Sequence, residues 1–131
     1  MSMEQLVRNM FDELFVTPEK FFNEDSEFFM WGPAYPPLVG PQEMLQGFTD
    51  LAARLTDVSI DYLDFAENGD IVFVERTDHF TIDGKHKIDL PVVGKGKVGA
   101  DGKFIYWRDF WDVELLTKAN LHPEGAGVLK Q

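Results

Sequence analysis

The stretch ENGDIVFVERTDHFTIDGKH, residues 67–86, decides how the second half of this chain folds. Asn68-Gly69 stands near one end and Asp83-Gly84 near the other, and both dipeptides supply the positive φ angles that tight hairpin turns require. Between them the side chains of an extended strand alternate. Val72, Val74, Arg76, Asp78, Phe80 and Ile82 share one face, while Ile71, Phe73, Glu75, Thr77, His79 and Thr81 share the other. Further out, runs of the same period occupy about 57–66, 70–82, 86–98 and 103–114, separated by ENGD, DG and ADGK. The pattern predicts an antiparallel meander.

Upstream the period is helical. Leu6, Met10, Phe11, Leu14 and Phe15 recur at three- and four-residue steps and predict a helix over about 3–15. In TPEKFF, Thr17 can cap and Pro18 suits the first helical position, giving a short second helix that buries Phe21 and Phe22. SEFFMW reads as a short extended segment, and GPAYPPLVGP is too rich in proline and glycine to be regular. A third helix runs from Pro41 to about Leu55, with Met44, Leu45, Phe48, Leu51, Ala52 and Leu55 along one stripe. Helices followed by long antiparallel strands predict an α+β fold in which a curved sheet packs three N-terminal helices against its concave face around a pocket. One domain is expected over residues 1–131, with its core at about 3–116 and a loose tail at 117–131.

Composition narrows the partners. Acidic residues outnumber basic ones 23 to 12, a formal charge of -11, so approach to phosphate backbones or anionic lipid is opposed by long-range repulsion. Neither nucleic acid nor a membrane is expected as a partner. Cysteine is absent, which removes disulfides and thiolate chemistry. The N-terminus has no basic region followed by an apolar one, and no apolar run reaches membrane-spanning length, so a cytoplasmic address is the default. His79, His86 and His122 lack a metal-ligand spacing and suit surface or interface roles, and VGKGKVGADGK lacks the following helix that a phosphate loop needs. No metal or other cofactor is implied. Asp12, Glu13, Asp61 and Asp64 suit a solvated acidic surface.

Two charges in the opening stretch interrupt an otherwise apolar face, and the last run, FIYWRDFWDV, repeats the oddity. Ile105, Trp107, Asp109, Trp111 and Val113 share one face there, while Phe104, Tyr106, Arg108, Phe110 and Asp112 share the other. If the Trp-bearing face looks into the same hollow as the face of Val72, that hollow contains Arg76, Asp78 and Asp109. Two strands apart means roughly 10 Å between backbones, which long side chains on a concave surface can close. Two carboxylates and one guanidinium sum to a single negative charge, so burial favours one ionised aspartate and one protonated. Such a pair is an acid and a base in one pocket; the same spacing also fits a structural ion pair. Phe80, Leu90, Val92, Trp107 and Trp111 are candidates for the pocket wall or for ordinary core. Phe104, Tyr106 and Phe110 form an apolar outer row that suits a homodimer through the sheet, or cover by the helices.

ERTD, residues 75–78, and YWRDFWD, residues 106–112, resemble the Glu-Arg-x-Asp and Trp-Arg-Asp-aromatic-aromatic-Asp segments of the limonene-1,2-epoxide hydrolase family. That family belongs with SnoaL-like polyketide cyclases in the NTF2-like superfamily, and the likeness covers about residues 3–116. It implies an Asp-Arg-Asp triad that adds water to a lipophilic epoxide in one step. On this resemblance Asp78 is the acid, Asp109 the base that deprotonates water, and Arg76 the bridge between them; a homodimer is implied too. Phe28 and Met30 stand where the family holds its water with Tyr and Asn, and both become candidate substrate contacts instead. Their presence opens two alternatives, a SnoaL-like cyclase or ketosteroid-isomerase-like enzyme, and a non-catalytic binder of a hydrophobic small molecule.

Overall fold

The computed structural model describes residues 1–119 throughout and, for 122–124 and 128–130, the backbone alone. Helix α1 spans Met3–Glu13, with Ser2 Oγ accepting from the Gln5 amide at 3.1 Å as its cap. A 3₁₀ turn at Pro18–Lys20 leads into β1 (Phe22–Phe29), followed by β2 (Leu38–Val39), α2 (Gly40–Ala52) and β3 (Leu55–Asn68). Strands β4 (Ile71–Ile82), β5 (His86–Val98) and β6 (Phe104–Phe110) complete the meander, and α3 (Glu114–Thr117) follows it. At the two hairpin turns Gly69, Asp83 and Gly84 adopt left-handed conformations, with φ of 63°, 53° and 67°.

Six strands form one curved sheet in the order β2-β1-β6-β5-β4-β3. Every neighbouring pair is antiparallel except β1 and β6, which run parallel. Both long helices cover the concave side: Val7 and Met10 of α1, its C-cap Leu14, and Met44 and Phe48 of α2 share a core with Val72, Val74, Phe22, Phe28, Phe104 and Trp107. Among the described residues no helix is long and apolar enough to cross a membrane.

Several expectations are corrected. The second helix is only three residues long, because the chain enters the sheet at Phe22; Phe21 and Phe22 are buried all the same. In α2, Leu45 is exposed and Gly47 takes its place on the buried face against Leu38. Strand β6 stops at Phe110 rather than near 114. Its pairing with β5 shifts between Lys97 and Val98, so that Tyr106 opposes Lys97 while Phe104 opposes Val98. That bulge leaves Ile105 over and turns Phe104 inward. Phe104 is therefore core, not a member of an outer row, and Ile105 is 46% exposed instead of facing the hollow. Beyond α3, His122–Glu124 (β7) pairs antiparallel with Val128–Lys130 (β8).

Candidate active site

Arg76 and Asp78 project from the concave face of β4, and Asp109 from that of β6. Strand β5 separates them, with Arg76 opposite Val92 and Asp109 opposite Gly94. The line from Arg76 to Asp109 thus passes over a residue without a side chain. A Cβ built on Gly94 would lie 2.9 Å from Arg76 Nη1 and 2.5 Å from Trp107 Cζ2, so only glycine leaves the passage open.

The guanidinium bridges both acids. Nε donates to Asp78 Oδ1 at 2.8 Å and Nη2 to Asp78 Oδ2 at 3.2 Å, while Nη1 and Nη2 donate to Asp109 Oδ1 and Oδ2, each at 2.9 Å. Arg76 is 2% exposed, and its Cζ lies 4.4 Å from the centre of the Phe11 ring. Trp107 Nε1 adds a third hydrogen bond to Asp109, reaching Oδ1 at 2.8 Å. Since an ionised carboxylate offers about four lone-pair sites, Asp109 keeps roughly one open acceptor position, on Oδ2.

Burial and charge pull the two partners apart. Loss of water pushes the Asp78 carboxyl up, against the downward pull of Arg76, and the nearby Asp109 pushes it further up. Burial alone would lower the Arg76 pKa, but Asp109 and then Asp78 raise it overall, so the guanidinium stays charged. The arrangement is a charged bridge beside a carboxyl whose pKa burial raises above the ordinary value.

These groups line a cavity of about 160 Å³ between the sheet and both long helices. Phe28, Met30, Phe80, Leu90, Val92 and Trp111 all belong to its wall. Trp107 does not; it lies behind the wall, packed edge-on against Phe11 and Phe104 and holding Asp109. Apart from Arg76, Asp78 and Asp109, every side chain of the wall is hydrocarbon, thioether or aromatic. Trp111 commits its indole N–H to the Met30 carbonyl at 2.9 Å, and the buried Trp31 Nε1 has no partner among the described residues. A second hollow of about 390 Å³ adjoins the first, sharing Phe11, Phe15, Leu55, Val58 and Ile60. Tyr62 sits there with its hydroxyl pushed up to about 12 by burial.

Sequence reasoning overlooked Phe11, Trp31 and Gly94. Phe11 was visible only as one member of a helical stripe, and Gly94 only as one of several glycines in a strand. His79 faces away from the cavity, where Nδ1 meets Asp89 and Nε2 meets Asp61, each at 2.7 Å. His86 is exposed, and the side chain of His122 lies outside the described residues. No group of three or more His, Cys, Asp or Glu that could hold a metal occurs among the described residues.

A curved, mostly antiparallel sheet with helices packed on its concave side is an NTF2-like α+β architecture. Within that class, the model of the limonene-1,2-epoxide hydrolase catalytic domain matches residues 3–122, and the chain belongs to that family. Solved structures share the fold. An LEH-like epoxide hydrolase from M. tuberculosis is 22% identical, with 87% of this chain and 85% of that one covered at a TM-score of 0.70. A protein assigned to the SnoaL-like polyketide cyclases, from Shewanella denitrificans, is 17% identical over 88% and 93% of the two chains, at 0.76. SalBIII, an epoxide hydrolase/cyclase-like enzyme with a role in pyran ring formation in the polyether salinomycin, is 16% identical over 86% and 92%, at 0.71. No curated protein matches the sequence significantly.

Proposed function

We propose that this protein opens a lipophilic epoxide by simultaneous proton delivery and proton removal. The observation that carries the reading is the doubly bidentate Arg76, held between Asp78 and Asp109 in an otherwise apolar cavity. Asp78, its carboxyl raised by burial, gives its proton to the epoxide oxygen as that C–O bond breaks. Asp109 accepts a proton from water as the new C–O bond forms. Arg76 fixes the geometry of both, a role for which the planar fork suits arginine and not lysine. Family membership and the M. tuberculosis relative support the same chemistry. The substrate is an apolar small molecule, and a homodimer through the convex sheet face is the expected assembly.

Turnover of lipophilic epoxides in H₂¹⁸O tests the reading: a diol carrying the label on carbon is expected. One observation favours a second reading. Phe28 and Met30 bring no hydrogen-bonding group to the wall, which suits removal of a proton beside a carbonyl, with Asp78 donating to the developing enolate. Solvent deuterium entering a bound ketone, without any diol from epoxides, would replace the first reading by the second. Tight retention of an apolar ligand with neither reaction would replace both by a binding role.

A further inference from the structure

We infer that the hollow beside the cavity is a second binding subsite, in which Asp12 and Tyr62 hold an alcohol group at the far end of an otherwise lipophilic substrate. The inference rests on the acid–base reading above and adds the substrate class. The hollow of about 390 Å³ lies between the last turn of α1 and the first half of β3. It shares Phe11, Phe15, Leu55, Val58 and Ile60 with the cavity, so one apolar surface runs from the charged cluster outward to a mouth where Phe15 and Val58 are exposed. Strand register keeps the hollow close to the chemistry. Tyr62 pairs with Arg76 across the β3–β4 ladder, and Ile60 pairs with Asp78. On α1, Asp12 follows Phe11, whose ring covers the Arg76 guanidinium at 4.4 Å.

The polar groups there are unspent. The ion pairs of α1 join Arg8 to Glu4 and Glu13 to Lys20, leaving Asp12 without one among the described residues. Burial and then the charge of Asp12 push the Tyr62 hydroxyl up to about 12, so a neutral phenol, able to donate and accept, shares the hollow with a carboxylate that only accepts. Different end groups fare differently against this pair. An alcohol gives its proton to Asp12 and accepts the proton of Tyr62, which satisfies both. An ether accepts from Tyr62 and offers Asp12 nothing. A carboxylate is opposed by Asp12 and by the formal charge of -11. An ammonium is drawn to Asp12 but meets the Arg8 guanidinium, stacked 4.5 Å from the centre of the Tyr62 ring, and Arg76 on the adjoining strand. The substrate class is therefore a neutral molecule with an epoxide at one end of an apolar body and a hydroxyl at the other.

The test uses long-chain epoxides on the intact protein in H₂¹⁸O, matched in length and differing only at the end remote from the epoxide: hydroxyl, O-methyl ether, ammonium or carboxylate. The expected result is labelled diol from the hydroxyl probe with kcat/KM at least about fivefold above the other three, carried by KM, as suits one charge-assisted hydrogen bond at a partly wetted site. In Asp12→Ala and in Tyr62→Phe the hydroxyl and ether probes are expected to converge to within about twofold. Both variants should fold, because Asp12 is exposed on its helix and phenylalanine keeps the ring under Arg8. Equal kcat/KM for hydroxyl and ether in the wild type, a faster ammonium or carboxylate probe, or a preference that survives either substitution overturns the inference, and the labelled diol leaves the acid–base reading standing. No diol from any probe, or diol formation unchanged in Asp78→Asn and Asp109→Asn, overturns the acid–base reading instead. Calorimetry then decides the subsite: a hydroxyl probe bound at least about fivefold tighter than the ether by the wild type, but not by Asp12→Ala, sustains it, and any other result overturns it as well.

Discussion

At the scale of single residues, Asp109 and Asp78 are chemically alike and differently placed. Three N–H donors surround Asp109, from Arg76 and Trp107, whereas Asp78 shares only the guanidinium and is pushed up by burial. Replacing Asp109 by Asn keeps the shape and an oxygen for Arg76 or Trp107 but removes the proposed base. The variant is expected to remain folded by circular dichroism and to lose about 10²–10⁴-fold in kcat. A full-rate Asp109→Asn enzyme would remove Asp109 from the reaction. As the proposed acid, Asp78 would set a pH dependence. A general acid must carry its proton, and a raised pKa lets it do so above the ordinary carboxylate value of 3.8. The rate is therefore expected to fall as pH rises through that raised pKa, and a kcat profile that climbs there instead would reverse the assignment.

At the scale of elements, the cluster depends on a strand that supplies none of its charges. Strand β5 stands between the two acids, and Gly94 is the point where guanidinium, carboxylate and Trp107 close over it. Gly96 leaves the same kind of room one pleat further along β5, where a Cβ would meet Trp107 and Phe104 within 2.8 Å. Gly94→Ala forces either the guanidinium or the indole aside. A stability loss of about 1–3 kcal/mol is expected from overpacking, read as a lower urea midpoint, together with a fall in kcat. An alanine variant with wild-type kcat would mean that the bridge tolerates displacement. The convex side of the same strands holds a different cluster, where His79 is raised by its hydrogen bond to Asp89 first and to Asp61 second. It ties β3, β4 and β5 together and faces away from the cavity.

At the scale of the whole molecule, the excess of acid over base and the apolar cavity act together. Long-range repulsion opposes anionic partners and the cavity wall is mostly apolar, so the neutral lipophilic substrate proposed above is matched on both counts. The convex face carries exposed Phe73, Val93 and Phe110, with Lys95 near the Phe73 and Tyr106 rings and Arg108 stacked 4.0 Å from Tyr106. A second copy on this face would cover these rings. Sedimentation of the wild type at dimer mass, and of Phe110→Glu at monomer mass, is the expected outcome; a wild type that sediments as a monomer would remove the proposed interface.

What the sequence by itself determined is local. Two dipeptide turns and a period of two decided the meander, and the same alternation put Arg76 and Asp78 on one face and Trp107 and Asp109 on one face. Neither pattern needs knowledge of distant residues, because turn chemistry and pleat are set within a few peptide units. Tertiary structure decided the rest. The parallel docking of β1 beside β6, the bulge that turns Phe104 inward and Ile105 outward, and the withdrawal of Trp107 behind the cavity all depend on pairings between segments far apart in the chain. Gly94 shows the reason most plainly. A missing side chain has no pattern of its own, and its meaning arises only when two other strands bring an arginine and an aspartate across it.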